Sequence, residues 1–452
     1  MPLSAQFMTA ARNALLELYP AFAAIAPSDY RRVLRPTEPG SHSISIEPYR
    51  GSTTWLAFIR QIENSTAFND LKSAIRDFQP ELFYFLVLPG RAMHLGDGSS
   101  LLATWCSALD LDPATQVSLP NAIETLLGEV SALLDSRQLT HRTTTSLAGV
   151  KLDGIEAPIV IGEGISLRQL SENEIMELGA QDITFGQPHD LLSHAVTCCL
   201  DFQSPCQFAL EPIHPQALVV SEVLQEAASK TTNILRALHV LKPGRAGVFL
   251  TQTEFTPKLF PYLGGGSSWP LNRPAFASLD LKASEINLFL QIERALSAAP
   301  REELRIAADR LVDAENRLSP VDALLDAVIG LEVVLNPMDS SELAFRVALN
   351  YAFLAPPELR RERYDRVRLL QKTRNRVVHG GLNLQSADAA TIHEHANLAK
   401  SCLRDVLQSF LLDESLNGNK KLDADFWLDR VLPVVMSGKT LDALSESGTV
   451  IS

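Results

Sequence analysis

Three polar side chains near the end of a predicted helix have the types and spacing for proton transfer beside a positive charge. His379 carries an imidazole, the side chain best suited to proton transfer near neutral pH. Asn375 precedes it by four residues, so on a continuing helix its amide would neighbour the imidazole and orient it. Arg374 adds a guanidinium, and Gly380-Gly381 supplies a helix stop. The set predicts a polar cleft at the end of this helix.

The helix that must position these groups is predicted to begin at Leu359. Its apolar side chains recur at three- and four-residue steps and share one face with Arg374; they are Val367, Leu370 and Val377. A charged group on a buried stripe is costly unless it is paired or faces a polar cleft. Two interpretations therefore stay open, a salt-bridged core arginine or a cleft arginine beside His379.

The same helix carries an unusual concentration of positive charge. Residues 360–376 contain eight basic side chains and two acidic ones, whereas the whole chain has a net charge of -13. Such an acidic chain is not typical of a protein that coats nucleic acid along its entire surface. The basic helix is either a solvated face with arginine stems on its surface or a track for phosphates. The candidate RNA-binding residues are Arg363, Arg366, Arg368, Lys372 and Arg376.

The order of motifs around this helix resembles the HEPN superfamily, and within it the Apea-like branch. A helix over 322–335 contains Ile-Gly-Leu-Glu, and a helix over 341–350 contains Leu-Ala-Phe-Arg. The segment from Arg374 to His379 then matches the family's arginine, polar residue and histidine, followed by glycine. The resemblance covers roughly residues 284–415, under a third of the chain.

This resemblance implies a metal-independent endoribonuclease, in a defence or toxin-like setting, that needs no cofactor. His379 would handle protons, Arg374 would stabilise the phosphate and Asn375 would orient them. Because one histidine cannot readily be base and acid at once, the family's homodimer would bring two motifs into one cleft. The products would carry 2',3'-cyclic phosphate ends.

Two other interpretations stay open at this point. The helical domain could be a non-catalytic HEPN module for dimerisation or ligand binding, since a fold does not fix a function. Glu332 could be catalytic, although a buried ion pair with an arginine such as Arg346 is the favoured interpretation of this residue. Glu332 and Arg346 are therefore predicted to support the structure of the site.

The chain of 452 residues predicts an α+β N-terminal region followed by an all-α C-terminal HEPN-type helical bundle. Residues 1–150 are predicted to be mixed and mostly helical, 151–283 to contain strands, 284–415 to form the bundle, and 416–452 to be a linker, a short helix and a loose tail. The first two regions would sense an unknown trigger or hold the nuclease inactive.

Several local patterns define these regions. A capping box at Ser171 and Glu174 predicts a helix start, and Ser284 is predicted to cap the first bundle helix. Residues 81–88 predict a buried strand, 195–210 a hairpin, and 264–269 a flexible loop. The segments 157–167 and 246–252 predict further strands.

Composition indicates a cytoplasmic protein without a membrane segment. No apolar run approaches the roughly 18 residues of a membrane span, and the N-terminus lacks a basic signal-peptide pattern. The cysteines are scattered and odd in number, which fits a reducing compartment. The cysteines of one strand-like run could belong to a zinc site or to the core, and the core role is favoured. The candidate zinc ligands are Cys198, Cys199, Cys206, His194 and His214.

Overall fold

The computed structural model describes most of the chain. The described residues are 3–24, 30–38, 41–48, 53–83, 85–88, 91–94, 99–109, 118–171, 174–175, 196–211, 222–260, 266–268, 279–298, 301–335, 343–379 and 388–413. The predicted tail over 416–452 lies outside them. Within these ranges, helices and strands mix up to residue 282, and only helices follow. The α+β region and the helical C-terminal region are thus confirmed in broad terms.

Five helices form the N-terminal part. They are α1 Ala5–Ala23, α2 Thr53–Asn64, α3 Thr66–Phe78, α4 Ser99–Ala108 and α5 Leu119–Ser136. Serine hydroxyls define two of the starts: Ser4 Oγ accepts the amide of Phe7 at 3.1 Å, and the same arrangement begins α3. The core of this part surrounds Trp105, whose ring Nε1 donates to Leu259 O at 2.9 Å. That bond ties the helices to the strand region that follows.

Two small sheets lie in this half of the chain. In the first, β1 Tyr30–Glu38 pairs antiparallel with β2 Ser41–Pro48. In the second, β3 Phe85–Leu88 lies between β4 Arg91–His94 and β10 Ala209–Glu211. The prediction of one strand over 81–88 was therefore half wrong, because Pro80–Phe83 forms a turn of 3-10 helix before the strand begins.

A six-stranded antiparallel sheet lies at the centre of the described chain. Its order is β12 Gly266–Ser268, β11 Gly247–Thr256, β5 Gln138–Ala148, β9 Cys198–Gln207, β8 Ile165–Gln169 and β7 Ile159–Gly162. The predicted hairpin over 195–210 was wrong, since β9 is one long strand between β5 and β8. The predicted loop over 264–269 contains β12, which pairs with β11. The capping box is confirmed: Ser171 N donates to Glu174 Oε2 at 2.8 Å, and Glu174 N donates to Ser171 Oγ at 3.3 Å.

Seven helices complete the described fold. They are α6 Glu222–Leu241, α7 Ile286–Ser297, α8 Glu302–Asn316, α9 Pro320–Leu335, α10 Leu343–Phe353, α11 Arg360–Val378 and α12 Asp388–Leu412. Helix α9 packs against α8 and α12, and α10 packs against α11. Ser284 does not cap α7 as predicted, because it lies within a 3-10 turn and α7 begins at Ile286. No helix in the described ranges has the length and apolar character needed to cross a membrane.

The hydrophobic core does not break at residue 284. One cluster of buried side chains includes Leu147 and Leu279 from the strands, Ile234 from α6, and residues of α7 to α12. Strand β13 Leu279–Lys282 pairs in parallel with β6 Val150–Asp153 and leads directly into the bundle. The bundle therefore shares its core with α6 and with the strands that precede it.

A buried polar network joins α6, α8 and α12. Glu315 accepts the guanidinium of Arg404 and, at 3.0 Å, the ammonium of Lys400. Arg404 Nε donates to the backbone oxygen of His239 at 2.9 Å, and the His239 ring lies 3.2 Å from Ala246 O. Burial penalises the charged form of this ring, so the pKa of His239 is lowered from its ordinary value.

Candidate functional site

Helix α11 positions every residue of the predicted motif. It follows a turn that begins at Pro356, and it ends where the His379 amide donates to Asn375 O at 3.0 Å. Val367 and Leu370 are fully buried, as the apolar stripe predicts. The side chain of His379 is exposed. The helix therefore anchors one face in the core and presents another face to solvent.

A groove of about 670 Å³ runs along the solvent side of α11. Its lining residues are Ala344, Arg368, Leu369, Gln371, Lys372, Asn375, Arg376 and His379. Arg368, Lys372, Asn375 and His379 follow one another at steps of four, three and four residues, which places them on one face of a helix. Ala344 contributes from α10. The groove therefore brings together five of the eight residues predicted for catalysis or RNA binding.

The groove is positively charged although the chain as a whole is acidic. Arg368, Lys372 and Arg376 line it, and none of its described lining residues is Asp or Glu. The acidic side chains of α11 neutralise other arginines instead: Glu362 accepts Arg366, and Asp365 accepts Arg361 at 2.8 Å. A cationic groove of this kind suits an anionic polymer whose phosphates repeat along its length.

Arg374 does not line the groove. It is half-buried, is not among the lining residues, and its Nη1 donates to Asn375 Oδ1 at 3.2 Å. Its Nε is buried and has no hydrogen-bond partner among the described residues. The predicted side-chain bond between Asn375 and His379 is also missing from that part of the chain, because the Asn375 oxygen accepts Arg374 instead. The three residues adjoin one another, but only Asn375 and His379 line the groove.

Two of the predicted RNA-binding arginines lie outside the groove lining. The guanidinium of Arg363 lies over the ring of Tyr351, 5.0 Å from its centroid. Arg366 is paired with Glu362, one turn earlier on the same helix. The sequence could not distinguish these two arginines from the three groove cations, because a count of charges does not say which way each side chain points.

Gln371, which is not among the residues predicted from the sequence, lies on the floor of the groove. Gln371 is 3% exposed and its Nε2 donates to Glu332 Oε1 at 3.0 Å. A signal was available, since Gln371, Asn375 and His379 follow one another at steps of four residues. Glu332 thus holds a groove residue. Its pairing with Arg346 stays a prediction.

The cysteines of β9 lie in three different hydrophobic clusters. Cys198 packs in the core of the bundle and sheet, Cys199 in a smaller cluster, and Cys206 in the N-terminal core. Burial raises the pKa of the Cys206 thiol to about 11. His194 and His214 lie outside the described residues. Over the described ranges, no group of three or more His, Cys, Asp or Glu side chains is placed to hold a metal ion.

Comparison of the chain with protein-family models, with curated proteins and with solved structures finds no match. The HEPN resemblance therefore rests on the motifs and their order in the sequence.

Proposed function

We propose that this chain is a metal-independent endoribonuclease of the HEPN type, acting in defence or in toxin-like RNA cleavage. The observation that carries the proposal is the groove, which combines the exposed His379 and Asn375 with three cationic side chains. The cations bind successive phosphates of a single strand, and His379 moves protons at the scissile one. The reducing cytoplasm is the proposed site of action, which five free cysteines support.

The proposed reaction needs two proton carriers. A base removes the proton of the ribose 2'-hydroxyl, the oxygen attacks phosphorus, and an acid gives a proton to the leaving 5'-oxygen. The products are a 2',3'-cyclic phosphate and a 5'-hydroxyl. His379 of one protomer supplies one carrier, so a second copy of the chain supplies the other. Arg374 and Asn375 support the developing charge once the two motifs share a cleft.

Exposed apolar side chains in the groove and next to it support a second copy as the partner. Phe345 of α10 is 45% exposed, and Leu369 and Val378 of α11 are 42% and 51% exposed. Large apolar side chains that cluster on a surface mark protein interaction sites more often than scattered ones do. A homodimer through α10 and α11 would cover them and bring two copies of His379 together. The regions before the bundle would then sense the trigger or hold the nuclease inactive.

Replacement of the histidine tests the proposal. His379→Ala should reduce RNA cleavage by at least about 100-fold, the usual effect of a lost proton carrier. The melting temperature should stay unchanged, because the side chain is exposed and its loss leaves no cavity. His393→Ala removes another exposed histidine, on α12 and outside the groove lining, and should keep full activity. Wild-type cleavage should persist in excess chelator and leave cyclic phosphate ends.

A non-catalytic HEPN module for dimerisation or ligand binding is the second candidate. The observation that favours it is Arg374, which lies outside the groove lining and donates to Asn375. A module that only binds would retain the cationic groove without a reactive arrangement. If the purified dimer binds RNA but leaves it intact, and His379→Ala changes nothing in cells, this second function replaces the first.

A further inference from the structure

The floor of the groove contains one buried polar side chain. Gln371 is 3% exposed, whereas the other polar lining residues, on the same helix, are exposed. Buried polar groups are fixed by their hydrogen bonds, so Gln371 presents a rigid surface to whatever fills the groove. The flexible lysine and arginines around it can adapt to many phosphate positions. Gln371 is therefore the group best placed for selection among ligands.

The orientation of the Gln371 amide follows from its partner. Glu332 is a carboxylate, which accepts hydrogen bonds and does not donate them. The group that faces it at 3.0 Å must therefore be the NH₂ of Gln371. The carbonyl oxygen Oε1 is then directed away from Glu332. It accepts no bond from a described residue, and it does not belong to the buried polar atoms that lack a partner. It is the atom left for the groove.

The position of Gln371 sets which nucleotide it meets. It precedes His379 by eight residues, and a helix rises about 1.5 Å per residue, so the two lie about 12 Å apart along the axis. This separation is too large for both to touch the same ribose. Gln371 therefore meets a nucleotide beyond the scissile phosphate, on the side toward Arg368 and Lys372.

We propose that Gln371, held by Glu332, is a specificity-determining residue of this groove. This inference rests on the proposed ribonuclease function and names what selects its substrate. An acceptor oxygen repels phosphate oxygens and needs a donor, and the donors of a nucleotide are base N–H groups and the 2'-hydroxyl. Gln371 Oε1 accepts one such donor from a nucleotide near the cleavage site.

Wild-type protein and modified RNA test the donor directly. A pool of single-stranded RNAs of random sequence is cut, and the ends are sequenced to locate a preferred nucleotide near the cut, other than the nucleotide whose 2'-hydroxyl attacks. At that position, one RNA carries a base analogue that lacks the N–H donor, such as purine riboside where the base is adenine. A second RNA carries 2'-deoxyribose in place of ribose. Loss of the matching donor should reduce cleavage about tenfold or more, because a fixed acceptor is left without a partner. The two replacements separate a base donor from the 2'-hydroxyl.

Two variants connect that preference to Gln371. Gln371→Met keeps the length of the side chain without an acceptor, and should cut the modified and unmodified RNAs equally. Glu332→Gln gives the amide of Gln371 a partner that can donate or accept, so the amide can turn over and the preference should weaken. Gln408→Met is the matched control, because Gln408 bonds backbone oxygens elsewhere in the bundle. It should keep the preference even if it lowers the melting temperature.

The outcomes separate this inference from the proposed function. If wild-type protein cuts RNA and neither replacement changes the rate, Gln371 selects nothing and only the inference falls. If the nucleotide preference of wild type is retained in Gln371→Met, the inference about Gln371 is likewise wrong and the proposed function stands. If wild-type protein neither binds nor cuts RNA, the ribonuclease proposal falls and the inference falls with it.

Discussion

The salt dependence of RNA binding distinguishes the groove from the rest of the basic helix. The double variant Arg368→Gln, Lys372→Gln removes two cations that line the groove. The double variant Arg363→Gln, Arg366→Gln removes the same charge from the same helix outside the groove lining. If phosphates lie in the groove, only the first variant should change the salt dependence. If the overall charge of the helix attracts RNA, the two variants should behave alike.

The size of the effect follows from counterion release. Each phosphate contact contributes about 0.7 to the slope of log affinity against log salt for a single strand. Loss of two contacts should lower the slope by about 1.4. A roughly fourfold rise in salt would then weaken wild-type binding about sevenfold more than it weakens the groove variant.

The assay is fluorescence anisotropy with one labelled single-stranded RNA at several salt concentrations. His379→Ala serves as the background, so that cleavage does not disturb the titration. The melting temperature of each double variant checks the fold, because Arg363 packs over the buried ring of Tyr351. Equal slopes for wild type and groove variant would show that RNA does not lie in the groove, and the site would have to be sought elsewhere.

Two further predictions concern stability. Gly330→Ala should destabilise the fold by about 1–3 kcal/mol in urea unfolding, because the added Cβ would lie 2.6 Å from Leu403 Cδ2 and 3.2 Å from Arg310 Cβ. The control is Gly128→Ala, whose added Cβ meets nothing within 4 Å and which should be neutral or stabilising. Equal effects of the two substitutions would refute the packing argument. Burial lowers the pKa of His239, so the unfolded chain binds its proton first and stability should fall as pH drops below about 6.5. Urea unfolding of wild type and His239→Gln at about pH 7.5 and 5.5 should show a smaller loss in the variant, and identical losses would contradict the assignment.

The helices of the C-terminal half are largely predictable because prolines and period mark them. Pro320 opens α9, two residues before the predicted start at 322, and Pro356 precedes the turn before α11. The apolar stripe correctly predicts that Val367 and Leu370 are buried, whereas Arg374 and Val377, predicted on the same stripe, are half-buried. Periodicity gives the direction of a side chain from its own helix axis. It carries no information about the partner that it meets there.

The central strands are harder to predict because their buried residues are polar. His141, Thr143 and Thr145 of β5 are at most 3% exposed, so the strand lacks the apolar alternation that marks a half-buried sheet. Strand β9 contains Pro205, which suggests a turn. Pro205 fits in the strand because β8 pairs only with residues 198–202 of β9. The proline nitrogen, which has no hydrogen to donate, can therefore face the side of β9 that β8 does not reach, while the other side pairs with β5.

The contact that orients the groove floor lies beyond local pattern. Gln371 and Glu332 are 39 residues apart in the sequence, on α11 and α9. Their meeting depends on how four helices, α8, α10, α11 and α12, pack around α9, which no single period encodes. The sequence therefore predicts the face of α11 that carries Asn375 and His379, and it leaves the second residue of each contact undetermined.

Helix α6 belongs to the unit that must fold together with the motif of α11. Arg236 of α6 holds Asp309 of α8 through two bonds of 2.6 and 2.8 Å, and Ile234 and Leu238 are fully buried in the core of the bundle. A protein fragment that begins at residue 284 would expose the apolar surface that α6 covers, and Asp309 would lose its partner Arg236. A fragment that is meant to fold with the motif of α11 should therefore include α6. The unit that shares this core is longer than residues 284–415.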